Sequence, residues 1–160
     1  MNTLFTILRK VKRKVLNQPS IKSNSHPPIR RDLERIQIVP NLALLVYWKE
    51  LKIGKGPAAV LEAFGSEIMK FDCFGKDKGH FHVKPHYDFR IFFVEETIEE
   101  QILRSRKEIL TNFKRYLSMQ SEDNIRHFVV SQEALETSTL TMEKKMKFFA
   151  HHIPELADVT

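Results

Sequence analysis

The stretch EIMKFDCFGKDKGHFHVK, residues 67–84, decides how the chain folds. Ahead of its glycines Met69, Phe71 and Cys73 alternate with Lys70, Asp72 and Phe74, and behind them Phe81 and Val83 alternate with His80, His82 and Lys84. A period of two belongs to an extended strand with one apolar face, and two such runs around a glycine-bounded segment make an antiparallel hairpin. Residues directly opposed across the hairpin share a face, so the apolar sets stay together only if an odd number of residues connects the strands. Lys76-Asp77-Lys78, between Gly75 and Gly79, meets that demand. The expected register opposes Phe71 to Val83, Cys73 to Phe81 and Asp72 to His82.

Similar apolar runs lie on both sides: IQIVPNLALLVYW from residue 36, AAVLEAF from 58 and DFRIFFV from 88. Breaks fall at Pro40-Asn41, Gly54 to Pro57, Gly65-Ser66 and Pro85-His86. The Gly54-Lys55-Gly56-Pro57 run reads as a turn and lacks the spacing of a phosphate-binding loop. Connections this short leave no room for the crossover helices that parallel strands need, so the sheet is expected to be an antiparallel meander.

Beyond Val94 the period changes to that of a helix. In TIEEQILRSRKEILTNFKRYL, residues Ile98, Ile102, Ile109, Phe113 and Leu117 fall on one face, while Thr97 as N-cap and Glu100 compose a capping box. Ser121 stands as the cap of a further short element, although IRHFVV also reads as a strand. Met142, Met146, Phe149 and Ile153 mark a last helix, expected to stop before Pro154. The fold class is therefore α+β, an antiparallel meander packed against C-terminal helices.

A chain of 160 residues, 42% of them apolar, suits one domain with a sizeable core. A single cysteine excludes an internal disulfide and a cysteine-rich zinc site, which fits a reducing compartment, the cytoplasm. No run approaches the ~20 apolar residues of a membrane span. The net charge of +6 is unevenly divided. Residues 1–35 hold nine Lys and Arg against two acids, a net +7, and the rest hold 17 against 18, a net −1. A basic arm is joined to a nearly neutral body.

In the arm, Leu4, Leu8, Val11 and Val15 recur at helical spacing among Arg9, Lys10, Lys12, Arg13 and Lys14. Residues 1–17 thus read as a basic amphipathic helix suited to an anionic membrane surface or an acidic protein partner, with nucleic acid a less favoured one. Residues 18–32, QPSIKSNSHPPIRRD, read as a Pro/Ser-rich linker, which leaves 33–160 as a single α+β domain. On this division the protein is expected at the cytoplasmic side, peripheral to the membrane where the arm engages it.

The polar face of the hairpin is the candidate ligand-binding site. It gathers Lys70, Asp72, His80, His82, Lys84 and Arg90, while Tyr87, Phe89, Ile91 and Phe93 are expected on the apolar face. Histidines at i and i+2 on a strand can share a metal with a carboxylate of the next strand, but the nearby Lys and Arg oppose a cation. The same cations favour an anion or nucleotide, with Arg90 forked onto phosphate. A His82–Asp72 pair has the parts of a general base. The plainest reading is structural, with His, Asp and Arg hydrogen-bonding one another. No metal ligand, catalytic residue or cofactor is assigned, and Cys73 reads as a small core hydrophobe.

The run FDCFG, then GHFH, then Arg90 with Phe93, then EEQI opening a helix that ends in YL, resembles small uncharacterised bacterial domains that share an F-D-C-F-G / G-H-[FY]-H core. The resemblance spans about residues 58–117. It implies a compact α+β unit of bacterial or phage-related origin and carries no activity onto any residue. The leading expectation is a non-enzymatic adaptor or accessory protein of a bacterial system whose arm contacts its partner. The alternative is a small ligand-binding protein or enzyme using Asp72, His80, His82 and Arg90.

Overall fold

Six strands follow one another in the computed structural model, which describes residues 29–157. They are β1 (Ile29–Val39), β2 (Leu42–Leu51), β3 (Gly54–Ala63), β4 (Ser66–Asp72), β5 (His80–Val83) and β6 (Ile91–Phe92). Each pairs antiparallel with the next, in the spatial order β1-β2-β3-β4-β5-β6. The expected arm helix and most of the linker lie outside the described residues. Ile29 to Asp32, the end of the stretch assigned to the linker, belong to β1.

Turn chemistry sets the first three hairpins. Pro40 and Asn41 connect β1 to β2, with Asn41 at φ +66, the left-handed position that Asn tolerates. Phe64 and Gly65 join β3 to β4, both at positive φ, as a type I′ turn requires. The β2–β3 turn is Lys52-Ile53, two residues ahead of the expected break, and Gly54 to Pro57 lie inside β3. Those glycines serve close packing instead: a Cβ on Gly56 would sit 2.2 Å from the carbonyl oxygen of Cys73.

Three helices follow: α1 (Ile98–Ser118), α2 (Asp123–Arg126) and α3 (Gln132–Ala157). The capping box forms as expected, with Glu100 N donating to Thr97 Oγ1 (3.2 Å) and Thr97 N to Glu100 Oε2 (3.1 Å). Ile102, Ile109, Phe113 and Leu117 are buried, and Ile98 packs at the core's edge. IRHFVV forms no strand. Its first two residues end α2, whose N-cap is Glu122 and not Ser121, and the rest is irregular. The last helix starts ten residues ahead of Met142, where Ser131 Oγ accepts from Ala134 N (3.2 Å), and it runs through Pro154. A proline that close to a helix end removes only one of the last backbone bonds.

Helix α3 packs on β1, β2 and β3, and α1 packs on β4 and on α3. Both therefore cover one sheet face, where Leu44, Val46, Trp48, Leu61, Met69, Phe71 and Phe81 meet Ile102, Met142, Met146 and Phe149. Each such side chain stabilises the fold by about 2 kcal/mol on burial. The opposite face carries a small second cluster, Tyr47, Ala58 and Val60, with Leu45 at its edge. Among the described residues, no helix is long and apolar enough to cross a membrane.

Candidate functional site

The β4–β5 hairpin pairs Met69 with Val83, Lys70 with His82, Phe71 with Phe81 and Asp72 with His80. This corrects the expected register by two residues, and the connection is seven residues long, from Cys73 to Gly79. Three contacts hold it open. Cys73 N donates to Pro57 O (3.0 Å), which keeps the end of β4 against β3. Gly75, at φ +80, then turns the chain, and its carbonyl accepts from Lys78 N (3.2 Å) and Gly79 N (2.9 Å). From α1, Gln101 clamps Gly75 on both sides, accepting from its N (3.0 Å) and donating to its O (2.9 Å). A slip of two residues preserves the alternation of faces, so Asp72, His80 and His82 still share one face.

That face is buried: Asp72 and His80 are 1% exposed and His82 9%. The carboxylate of Asp72 meets Lys49 of β2, whose Nζ lies 2.8 Å from both Oδ1 and Oδ2. The side chain reaches across β3 because the residues in its way are small. Lys49 is paired with Gly56, and Ala58 stands between Tyr47 and Asp72.

The imidazoles are each fixed by a backbone carbonyl. His80 Nδ1 donates to Lys78 O (2.8 Å) and His82 Nδ1 to Tyr87 O (2.7 Å). A carbonyl only accepts, so the proton of each neutral ring is on Nδ1 and the lone pair is on Nε2. His80 Nε2 lies 3.4 Å from Asp72 Oδ2, and one ligand-capable atom from each of Asp72, His80 and His82 falls within 4.8 Å of the others. Aromatic rings stand around them: Phe74 and Phe92 at 6.0 and 5.7 Å from the His80 ring, and Tyr87 at 5.6 Å from His82.

Burial holds both imidazoles below their ordinary pKa range, and the ammonium of Lys70 adds to the effect at His82. At His80 the Lys78 carbonyl and Asp72 oppose the shift, while Arg90 and Lys49 add to it. Both rings are therefore neutral near pH 7. Burial also lowers the Lys49 pKa, against the attraction of Asp72.

The other expected site residues divide. Lys70 is half-buried, and its Nζ lies 4.9 Å from the centre of the Tyr87 ring. Lys84 turns away to Glu122 Oε1 (3.1 Å) and does not join the cluster. Arg90 is exposed and reaches His80 only through its field. Tyr87, expected on the apolar face, is on the polar one, its hydroxyl donating to Glu67 Oε2 (2.8 Å). Phe89 and Ile91 are 69% and 45% exposed, because β6 pairs for only two residues, whereas Phe93 joins the core's edge as expected.

Sequence reasoning missed Lys49 and Tyr47. The available signal was a lysine and a tyrosine alternating with Val46 and Trp48 inside LALLVYWKEL, opposite a strand bearing Gly56 and Ala58. The Tyr47 hydroxyl is buried and has no hydrogen-bond partner among the described residues.

Fold and site together define an α+β protein whose antiparallel meander buries a Lys-Asp-His-His constellation on the sheet face away from its helices. Comparison with protein-family models, with curated proteins and with solved structures gave no match. The expected resemblance to F-D-C-F-G / G-H-[FY]-H domains has no counterpart in these comparisons.

Proposed function

We propose that Asp72, His80 and His82 hold a divalent transition-metal ion of the zinc type, and that the protein is a metal-dependent ligand-binding protein. The observation that carries this reading is an acceptor facing an acceptor. With burial keeping the ring neutral and Nδ1–H on the Lys78 carbonyl, the His80 Nε2 lone pair faces the Asp72 carboxylate at 3.4 Å. Two ligand atoms of a tetrahedral zinc ion, each ~2.1 Å from the metal, stand about 3.4 Å apart. Fixing Nδ1–H on a backbone carbonyl is also how proteins orient metal-binding imidazoles, since it sets the tautomer and aims Nε2.

A two-histidine, one-carboxylate set leaves coordination positions for a ligand oxygen, which the ion polarises as a Lewis acid. Lys49 is compatible with the ion. Its flexible stem lets the ammonium keep one carboxylate oxygen while the metal takes the other.

Chelator-treated full-length protein titrated with Zn²⁺ is expected to take up about one equivalent. With Co²⁺ it should develop the visible absorption of a tetrahedral site. Both signals should be lost in His80→Ala and His82→Ala. If the folded wild-type protein, checked by circular dichroism, takes up no stoichiometric metal, the reading is wrong.

A further inference from the structure

We infer that the ligand completing this centre is a phosphate group, carried by a phosphate monoester whose organic part lies in the basic cleft beside Phe74. The inference rests on the metal reading above and adds the chemistry of what the metal binds.

Charge is the first reason. A divalent ion with Asp72, Lys49 and two neutral imidazoles has a net charge of +2, and Lys70 adds to the positive potential at its edge. A buried centre with that excess needs an anion, because uncompensated charge in a low-dielectric site is strongly disfavoured. A phosphate dianion matches it.

Donors aimed into the face are the second reason. The Tyr47 hydroxyl is buried and unpartnered among the described residues. Tyr47 belongs to the cross-strand row Tyr47, Ala58, Asp72, His80, one small residue away from Asp72. With one Asp72 oxygen on the metal, Lys49 keeps the other, and the donor that now meets the first oxygen is freed for a ligand oxygen. A phosphate oxygen on the metal answers both.

The third reason is an adjoining space. A cleft of about 360 Å³ lies between the β2–β3 turn and the 73–79 connection, lined by Lys52, Lys55, Lys78, Ile53 and Phe74 among others. The volume is that of a small-molecule site. Phe74 is the shared wall: its ring lies 6.0 Å from the His80 ring and 6.0 Å from Lys49 Nζ. Lys78, which also lines the cleft, orients His80 through its carbonyl. The one acid of the lining, Glu50, accepts from Arg31 and from Trp48 Nε1, so three lysines and one aromatic ring are left to suit an anionic ester with a flat organic part.

Calorimetric titrations of zinc-loaded, desalted full-length protein with inorganic phosphate and with phenyl phosphate test this, with zinc content measured in the same samples. Both probes are expected to bind the loaded protein at least tenfold more tightly than the chelator-treated one. Tyr47→Phe should weaken both about tenfold, the loss of one hydrogen bond to a charged group. Lys52→Ala with Lys55→Ala should weaken phenyl phosphate more than inorganic phosphate. Zinc-loaded protein that ignores both probes, or binds them equally in Tyr47→Phe, overturns the phosphate inference and leaves the metal reading standing. Equal affinity with and without zinc also overturns it. Protein that takes up no zinc overturns both.

Discussion

At the scale of single residues, substitutions act most strongly on the Lys49–Asp72 pair, whose side chains are 5% and 1% exposed. Removing one partner leaves the other charged and buried without its counter-charge, a cost of about 3–5 kcal/mol. Lys49→Met and Asp72→Leu should each lower the urea midpoint by that measure, and the double variant should regain much of the loss. Additive losses would mean that each charge is compensated by something other than its partner. Gly56→Ala belongs beside them. Its methyl would meet the Cys73 carbonyl, so about 1–3 kcal/mol of strain is expected where most exposed-strand alanines are neutral. Cys73 itself is fully buried, and burial pushes its thiol up to about 12. Native protein at pH 8 should therefore not react with a thiol reagent until it unfolds, and prompt stoichiometric labelling would show the thiol to be reachable.

At the scale of elements, α1 does two separable things. Its N-terminus is closed by the Thr97–Glu100 box, and its first buried polar side chain, Gln101, holds the connection that aims His80. Gln101 also donates to Glu95 O (2.8 Å), and it packs so closely that a Cβ on Gly79 would fall 2.0 Å from its Oε1. Gln101→Ala should cost about 1–3 kcal/mol by unpairing buried backbone groups. It should also weaken zinc about tenfold or more, because the connection that carries the Lys78 carbonyl to His80 loses its clamp at Gly75. Thr97→Ala should cost about 1 kcal/mol through the cap alone and leave zinc affinity as it is. If the two variants affect zinc alike, Gln101 contributes to helix stability and nothing more.

At the scale of the whole molecule, pH acts through the two buried imidazoles. Their folded pKa values lie below the ordinary imidazole value of ~6.5 that the unfolded chain has. As pH falls through that range the unfolded chain takes up protons before the native one does, so stability declines with falling pH and is fully present above about pH 7. Urea midpoints of metal-free protein should drop between pH 7 and pH 5. A flat profile over that interval would mean that His80 and His82 titrate as they do in the unfolded chain. The arm belongs to this scale too. The Pro/Ser-rich stretch that follows the arm in the sequence should uncouple it from the body, so removal of residues 1–28 is expected to leave sheet and helices folded. We propose that the arm contributes attachment to an acidic surface. It should bind anionic vesicles at low salt and release them as salt rises, and equal affinity for neutral vesicles would sink that idea.

What the sequence determined by itself is whatever depends on neighbours along the chain. Alternation in Met69, Phe71, Cys73 and in Phe81, Val83 marks strands, short connections force them antiparallel, and Thr97 with Glu100 starts a helix, because each follows from backbone geometry within a few residues. Tertiary structure decided the rest. The hairpin register moved by two because Gln101, 26 residues from Gly75, holds the connecting loop open. Tyr87 changed faces because the chain after β5 leaves the ladder, which ends the alternation that would have placed it. Lys49 joined the site across the whole width of β3, over a glycine and an alanine. Ligand sets of this kind are assembled across strands, and a period read along one strand carries no information about which side chain from another will reach it.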